Sequence, residues 1–103
     1  MKIYKIAALE TITQAAIRDP KTGEVYTGWR HCFIGLEMIQ KGYCKKPYPG
    51  GSAQGFVTNT GRFVSREEAL KIATDAKQKI IKKHGNPNLL YSEDVWDING
   101  NTK

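Results

Sequence analysis

Arginine and histidine side chains occur where they could bind an anion. Arg30 and His31 lie near the start of one predicted helix, Arg62 lies in a predicted hairpin, and Arg66 follows the start of a second helix. Helix N-termini favour anions through free N–H groups and the helix dipole, and a guanidinium adds bidentate hydrogen bonds to phosphate. We expect these residues to meet at one end of a small sheet and to hold two phosphates.

Each arginine also has a purely structural interpretation. Arg62 and Arg66 could pair with Glu68 or Glu93 at the surface, where an ion pair contributes under about 1 kcal/mol. Taken singly, each arginine fits this interpretation better. The binding hypothesis therefore depends on their convergence.

Aromatic rings could provide stacking faces for a base. The candidates are Tyr43, Tyr48, Phe56, Phe63, Tyr91 and Trp96. Most rings in so short a chain must form the core. Phe56, in a glycine-flanked strand beside the arginine hairpin, is the exception, and we expect it to face a ligand, where stacking of a base contributes about 1–3 kcal/mol.

The sequence shows no catalytic constellation. The chain has two histidines and two cysteines, and no Ser-His-Asp, HExxH or Walker pattern is present. Glu67 with Glu68, and Glu93 with Asp94, could ligate a divalent cation, but the helix start explains the first pair better. We predict a protein that is not an enzyme and that needs no metal or cofactor.

The composition indicates one small basic domain. Sixteen Lys and Arg against ten Asp and Glu give a net charge of +6 over 103 residues, which attracts phosphate-bearing partners but also keeps a small domain soluble. Cys32 and Cys44 lack the spacing of a zinc or redox motif and favour a reducing setting in the host cell cytoplasm. No signal peptide or membrane span of ~20 apolar residues is visible.

The sequence predicts a single α+β domain over residues 1–98 and a flexible tail over 99–103. It predicts a small antiparallel sheet, built from an N-terminal hairpin and a second short hairpin and packed with two helices. The second hairpin turns at Asn59-Thr60-Gly61. The predicted strands are residues 2–9, 11–18, 25–26, 56–58 and 62–64.

The first predicted helix covers residues 29–41, with Thr27 or Gly28 as its cap. Gly42 lies where a left-handed residue would end the helix. The residues predicted to form its apolar side are Cys32, Phe33, Leu36 and Ile39. Prolines, glycines and tyrosines then favour an exposed loop over 43–52.

The second predicted helix covers residues 65–84. Ser65 and Glu68 have the spacing of a capping box, in which each side chain accepts a hydrogen bond from a free backbone N–H. Basic residues precede Gly85, as expected at a helix C-terminus. The amphipathic stripe consists of Ala69, Ile72, Ala73, Ala76 and Ile80.

Four sequence blocks resemble a family of small phage proteins. The blocks are Gly28-Trp29-Arg30-His31, Gln54-Gly55-Phe56-Val57, Gly61 to Ala69, and Leu90 to Trp96. In order and spacing they are similar to the first-described Thoeris anti-defence proteins, over most of residues 25–96. The resemblance implies a homo-oligomer, a dimer or a hexamer, that sequesters cyclic nucleotide signals of bacterial immunity and cleaves nothing. Cyclised ADP-ribose would be one ligand, and cyclic oligonucleotides would be others.

The resemblance also implies roles for individual residues. Arg30 is expected to bind phosphate and Phe56 to stack, with Arg66 and Glu68 at the edge of the pocket. A pocket shared between subunits would enclose more of a nucleotide than one small domain can. The complete predicted ligand-binding set is Arg30, His31, Tyr43, Phe56, Arg62, Arg66, Glu68 and Asp94.

Two other functions remain open from the sequence. A nucleic-acid-binding phage accessory protein would use lysines along the second helix, namely Lys71, Lys77, Lys79, Lys82 and Lys83. A cyclic nucleotide hydrolase would use His31, Glu93 and Asp94 as acid or base groups.

Overall fold

The computed structural model of the chain describes residues 10–81 and 83–101. Four antiparallel strands form one sheet in the order β2-β1-β3-β4. The strands are β1 (Ile12–Arg18), β2 (Val25–Gly28), β3 (Gln54–Thr58) and β4 (Phe63–Ser65). The predicted α+β fold with an antiparallel sheet is confirmed, whereas the strand predicted over 2–9 lies outside the described residues.

Two tight turns form the hairpins of the sheet. Between β1 and β2, the Asp19 N–H donates to the Glu24 carbonyl at 2.8 Å, and Gly23 has a φ of 80°. Between β3 and β4, Gly61 has a φ of 87° and donates to the Thr58 carbonyl. Pairing of β1 with β3 joins the hairpins into one sheet, as the turn chemistry predicts.

The first helix, α1 (His31–Gln40), ends as predicted but begins later and presents a different face. The N–H groups of Gly42 and Tyr43 donate to the carbonyls of Ile39 and Met38, which is the Schellman arrangement around a left-handed glycine. Arg30, still in extended conformation, is the N-cap. The buried residues are His31, Ile34, Gly35 and Met38. Of the residues predicted to form the apolar side, Cys32, Phe33 and Leu36 are exposed, so that side does not pack on the sheet.

The second helix, α2 (Arg66–Asp75), is much shorter than the predicted 65–84. It ends in a second Schellman arrangement, with Lys77 at a φ of 55° in the position that usually carries glycine. Just beyond this end, Gln78 exchanges two hydrogen bonds with the backbone of Ile12, at 2.6 and 3.0 Å. This contact with the end of β1 redirects the chain, so the helical pattern after Asp75 is not realised.

The start of α2 matches the prediction in part. Ser65 Oγ accepts a hydrogen bond from the Glu68 N–H at 3.1 Å, which is one half of the predicted capping box. The Glu68 carboxylate instead forms an ion pair with Arg62 at 2.9 Å.

Two short helical segments and one continuous core complete the fold. A 3-10 turn spans Gly51–Ala53 before β3, and α3 (Ser92–Val95) follows an irregular stretch. Residues from the sheet and from all three α-helices form the core: Ile12, Ala15, Ile17, Ile34, Met38, Phe56, Val64, Ala69, Ala73, Leu90, Val95 and Trp96. Within residues 10–81 and 83–101, no helix is long and apolar enough to cross a membrane.

Candidate functional site

The first residues of α1 and α2 contact each other at one end of the sheet. Nη2 of Arg66 lies 3.2 Å from Nδ1 of His31. Because arginine only donates, Nδ1 accepts this hydrogen bond and the ring proton lies on Nε2. Nε2 then donates to the Gly55 carbonyl in β3 at 2.7 Å. Of the four residues expected to meet at this end of the sheet, His31 and Arg66 are therefore in contact.

His31 is a neutral ring at neutral pH. Burial lowers its pKa from 6.5 to about 4, and the neighbouring Arg66 charge acts in the same direction, against the bond to Gly55. His31 therefore orients Arg66 by hydrogen bonding and adds no charge of its own. The positive charge of this hydrogen-bonded pair is that of Arg66.

Arg66 has hydrogen-bonding capacity to spare. Nη2 also donates to Oε1 of Gln54 at 3.0 Å, and the Gln54 amide is held by the Pro49 carbonyl at 3.0 Å. The buried Nε of Arg66 has no hydrogen-bond partner, and none of the ion pairs in the described part of the chain includes Arg66. Burial lowers the pKa of Arg66, yet a guanidinium stays charged in proteins. Because no carboxylate of the described residues forms an ion pair with this guanidinium, its charge is available to an anionic ligand.

Arg66 lines an open cleft of about 430 Å³. We call it the Arg66 cleft; its lining residues are Gly51, Ser52, Gln54, Ser65, Arg66, Glu67, Leu89 and Tyr91. Small-molecule sites have volumes of about 300–1,000 Å³. The cleft combines the Arg66 guanidinium and the Glu67 carboxylate with amide and hydroxyl groups, a leucine and a tyrosine. A ligand with an anionic group on the Arg66 side and a flat ring against Tyr91 matches this lining.

Tyr91 forms the aromatic wall of the cleft. The Arg66 guanidinium carbon and the Lys83 Nζ each lie 5.0 Å from the centre of its ring, within the range of cation–π attraction. Gly85, at a φ of 56°, lies against the ring, where an added Cβ would come within 2.9 Å of ring carbons. Glycine at this position lets the backbone approach the tyrosine closely.

Asp94 fastens this wall and does not face the cleft. It is fully buried, and its carboxylate accepts hydrogen bonds from the Tyr91 N–H, the His84 N–H, His84 Nδ1 and Lys83 Nζ, at 2.7 to 2.9 Å. Burial alone would raise the pKa of Asp94, but these hydrogen bonds outweigh it and lower the pKa. The structure therefore places this predicted ligand-binding residue in a structural clamp, because both of its oxygens are already occupied.

Arg62 and Glu68 form a surface ion pair, which is the structural interpretation that the sequence left open for Arg62. Arg62 bridges Glu10 and Glu68, with N–O distances of 2.8 and 2.9 Å. Hydrogen bonds from Arg62 and Thr58 are the main reasons that the pKa of Glu10 is lowered to about 2. Hydrogen bonds with the same two carboxylates raise the pKa of Arg62. The charge of Arg62 is compensated within the fold, and neither Arg62 nor Glu68 lines the Arg66 cleft.

Phe56 belongs to the core, so the expectation that its ring faces a ligand is wrong for this structure. It is fully buried in β3, edge-to-face with His31 at 5.2 Å and 6.2 Å from Trp96. Its position in an inner strand gives it neighbours on each side. Arg30 does not line the Arg66 cleft; its Nη2 donates to the Trp96 carbonyl at 3.3 Å, and its buried Nε is unpartnered. Arg30 is therefore separate from the Arg66 cleft.

Tyr43 lies away from both arginines. Its half-exposed ring stacks on Tyr26, with the ring centres 5.0 Å apart. It lines two other cavities, of about 290 and 460 Å³. Of the eight predicted residues, only Arg66 lines the cleft, with His31 bonded to it and Phe56 packed behind His31. Arg62 and Glu68 pair with each other, and Arg30, Tyr43 and Asp94 make separate contacts.

The residues proposed for the alternative functions are also dispersed. Lys77, Lys79 and Lys83 lie beyond the end of α2, and Lys82 lies outside the described residues. Both nitrogens of His31 are occupied, as are both oxygens of Asp94. Over residues 10–81 and 83–101, no three His, Cys, Asp or Glu side chains come together as metal ligands.

Sequence reasoning missed the neutral residues of the cleft. Gln54 was visible only as part of a sequence block and Ser52 only as part of a loop, whereas Tyr91 was one of six candidate stacking rings and was not chosen. The Gly50-Gly51 pair before β3 was the available signal, because glycines allow a sharp bend beside a ligand. Gly51 indeed has a φ of 57° and lines the cleft.

Comparison with known proteins gives one match. Residues 11–96 match the family model described as phage T4 y16D protein. No curated protein and no solved structure matches the chain. The matched segment contains all four strands, the three α-helices and every lining residue of the Arg66 cleft. The predicted phage origin is thereby confirmed at the level of a family. Since the match covers most of its length, the chain belongs to the phage T4 y16D protein family.

Proposed function

We propose that this phage protein binds a cyclic nucleotide signal of bacterial immunity in the Arg66 cleft and sequesters it without cleaving it. The observation that carries the proposal is the guanidinium of Arg66, which lines the cleft, has a buried Nε without a partner and belongs to no ion pair of the described residues. This is the anion-binding function that the sequence resemblance to Thoeris anti-defence proteins implies.

Different residues of the cleft bind different parts of the nucleotide. Arg66 binds a phosphate with the part of its guanidinium that lines the cleft, while His31 and Gln54 hold Nη2 in place. Tyr91 provides the ring against which a base packs, in the role that the sequence gave to Phe56. Stacking on an aromatic side chain contributes about 1–3 kcal/mol per base. The hydroxyl of Ser52 is left for the ribose or a base edge.

Capture without cleavage agrees with the groups around the cleft. His31 donates and accepts with its two nitrogens already, and its low pKa makes it a poor acid at neutral pH. Ser65 Oγ accepts the capping hydrogen bond of α2. Because the polar atoms of His31 and Ser65 already form these hydrogen bonds, the groups around the cleft support binding over hydrolysis.

A titration with defined ligands tests the proposal. The protein is mixed with cyclic ADP-ribose isomers and with cyclic di- and trinucleotides, and heat of binding is measured by calorimetry. Mass spectrometry of the ligand released by denaturation then shows whether it is intact. We expect at least one ligand to bind and to be recovered unchanged.

Two arginine variants connect the binding to the cleft. Arg66→Gln should weaken binding roughly 10- to 150-fold, equivalent to the loss of a charge-assisted hydrogen bond of about 1.5–3 kcal/mol. Arg62→Gln is the matched control, because it removes the same charge from a residue that pairs with Glu10 and Glu68. Equal losses in both variants would refute the assignment to the cleft. A cleaved product would identify a hydrolase, and no binding by any ligand would end the nucleotide hypothesis.

Binding of nucleic acid is the second candidate, with one observation in its favour. Lys21, Lys45 and Lys46 surround the cavity of about 460 Å³ beside Tyr43, and lysines with an aromatic ring suit a single strand. Labelled DNA titrated at low and at physiological salt tests it. Backbone contacts alone would give weak binding that falls steeply with salt, whereas sequence-selective binding at physiological salt would favour this function.

A further inference from the structure

The Arg66 cleft contains a carboxylate next to its guanidinium. Glu67, the second residue of α2, lines the cleft together with Arg66. Among the described residues that line the cleft, Glu67 is the only acidic one. A phosphate on Arg66 and a base against Tyr91 leave this carboxylate without a role in the proposed nucleotide site.

Glu67 has no partner within the fold. Its side chain is exposed, and within residues 10–81 and 83–101 it forms no ion pair and no hydrogen bond. Lys71, four residues later, has the usual spacing of a helical ion pair, yet it does not come within pairing distance. By contrast, the carboxylate of Glu68 pairs with Arg62 at 2.9 Å. The Glu67 carboxylate is therefore available to a ligand.

The start of α2 does not by itself explain this placement. Carboxylates are favourable in the first turn of a helix, and α2 has two there, Glu67 and Glu68. Both serve the helix dipole equally, but only Glu67 lines the Arg66 cleft. Its position beside the guanidinium therefore bears on what the cleft can bind.

The two charges favour different parts of a ligand. The guanidinium of Arg66 only donates hydrogen bonds and attracts a phosphate, whereas the carboxylate of Glu67 only accepts them and repels one. A ligand that fits both residues presents one phosphate to Arg66 and N–H or O–H donors to Glu67. A pyrophosphate fits less well, because its second phosphate lies close to the first and hence to the carboxylate.

Among the four RNA bases, guanine best matches a carboxylate. Its Watson–Crick edge carries two adjacent donors, N1–H and the N2 amino group, which the two oxygens of one carboxylate can accept together. Adenine and cytosine place a single amino group beside a ring nitrogen that accepts, and uracil has one N–H between two carbonyls. In these three bases a lone pair would face the Glu67 carboxylate.

The hydroxyls of a ribose are the other group with two adjacent donors. In a cyclic oligonucleotide, however, each ribose uses one of its two hydroxyls in the phosphodiester. Only the guanine edge then offers two parallel donors. Cyclised ADP-ribose keeps both hydroxyls and carries a pyrophosphate, so it provides a direct comparison.

The surroundings of Glu67 leave room for the rest of a cyclic molecule. Ser65 and Glu67 also line an adjoining cavity of about 560 Å³, so the two spaces border each other. Lys71 lines this second cavity and could attract a further phosphate. One nucleotide can therefore occupy the Arg66 cleft while the remainder lies over the neighbouring cavity.

We propose that Glu67 selects guanine, so that the ligand of the Arg66 cleft is a cyclic oligonucleotide containing guanine. This role rests on the proposed function and narrows its ligand class. Glu67 accepts hydrogen bonds from N1–H and N2 of the base, the base packs against Leu89 and Tyr91, and the adjoining phosphate binds Arg66.

Three cyclic dinucleotides with the same backbone test the selection. Cyclic di-GMP, cyclic di-AMP and cyclic di-IMP are titrated separately into the protein, and the Kd of each is measured by calorimetry. Cyclic di-GMP should bind roughly 5- to 150-fold more tightly than cyclic di-AMP, which is the discrimination expected of one bidentate contact to a base. Cyclic di-IMP, whose base keeps N1–H but lacks the amino group, should fall between them.

A pair of neighbouring variants assigns the preference to Glu67. In Glu67→Gln the side chain presents one acceptor and one donor, which matches the amino group and N1 of adenine, so the preference for cyclic di-GMP should vanish or reverse. Glu68→Gln is the matched control, because it makes the same change one residue later in a carboxylate that pairs with Arg62. It should keep the preference, and thermal unfolding shows that both variants are folded.

The outcomes separate this role from the proposed function. The selection of guanine by Glu67 would be overturned by equal binding of the three dinucleotides, by a preference that Glu67→Gln leaves unchanged, or by tighter capture of cyclic ADP-ribose than of cyclic di-GMP. In each case the capture of a nucleotide by Arg66 would still stand. If neither cyclic ADP-ribose nor any cyclic oligonucleotide binds, the proposed function fails as well.

Discussion

Arg66 and His31, each the first residue of a helix, are joined by a hydrogen bond of 3.2 Å between Nη2 and Nδ1. The bond fixes the tautomer of the ring, and the second ring nitrogen ties α1 to the Gly55 carbonyl in β3. With His31 turned inward, the positions one and two residues later must turn outward. The same contact that orients the cleft arginine therefore also exposes Phe33.

His31 should make the protein less stable in mild acid. Its pKa is about 4 in the folded chain against an ordinary value of 6.5, so below about pH 6.5 the unfolded chain binds a proton that the folded chain does not. Stability then falls as pH drops from about 6.5 to 4, by up to about 1.4 kcal/mol per pH unit.

His31→Gln provides the control, since glutamine can keep both hydrogen bonds but does not titrate. Urea unfolding of the two proteins between about pH 7 and 5 measures the difference. The wild type should lose more stability over this range than the variant. Parallel curves would show that His31 titrates normally, and hence that it is not buried between Arg66 and Gly55.

Phe56→Ala should act on folding and not directly on ligand binding. The ring is fully buried between His31 and Trp96, and removal of a buried phenylalanine costs about 3–5 kcal/mol. Denaturant unfolding should show this loss, with a smaller one for Phe63→Ala, which removes a partly exposed ring from the neighbouring strand. A folded Phe56→Ala protein with normal stability but no ligand affinity would contradict the core assignment.

Asp94→Asn should release the wall of the cleft. The buried Asp94 carboxylate accepts hydrogen bonds from the Tyr91 and His84 N–H groups and pairs with the partly exposed Lys83. The asparagine amide cannot accept all of these, and leaving a buried donor without its acceptor costs about 1–3 kcal/mol. The pKa of Asp94 is lowered from 3.8, so the carboxylate stabilises the fold above that pH and loses its effect as pH falls through the folded value.

The stability of the two proteins at low pH gives an independent check of the role of the Asp94 carboxylate. The stability difference between wild type and Asp94→Asn should be full at neutral pH and should narrow below about pH 3.8. Hydrogen exchange of the Leu90 and Tyr91 amides should rise in the variant at neutral pH. A difference that is small, or independent of pH, would show that Asp94 does not hold the segment as a carboxylate.

Local chemistry explains the parts of the fold that the sequence predicted. Gly42 ends α1 and Gly61 turns the second hairpin because each requires a positive φ, and Ser65 starts α2 because its hydroxyl accepts a free N–H. These turn and capping signals act over a few residues, so they can be recognised in the sequence without the tertiary structure. The meeting of His31 with Arg66 follows from two such helix starts beside one sheet.

Contacts distant in sequence explain the parts that could not be predicted. The end of α2 is set by Gln78 binding Ile12, 66 residues away, and a lysine takes the place of the usual glycine there. Periodicity placed Phe33 and Leu36 together on one apolar side of α1, but it cannot show whether that side packs on the sheet, and both residues are exposed. Tyr91 reaches the cleft only because Asp94 fastens the irregular chain before it.

The fit of Gly35 against Tyr48 gives the last prediction. Gly35 is buried in the middle of α1, and a Cβ there would meet the ring of Tyr48. Alanine normally stabilises a helix interior by up to about 1 kcal/mol over glycine, but Gly35→Ala should destabilise this protein by about 1–3 kcal/mol because the ring must move. In a Tyr48→Ala background the same change should become neutral or stabilising, and denaturant unfolding of the four proteins gives the coupling. If Gly35→Ala costs the same in both backgrounds, the tyrosine is not what excludes a side chain at this position, and the loop does not rest on α1 through that contact.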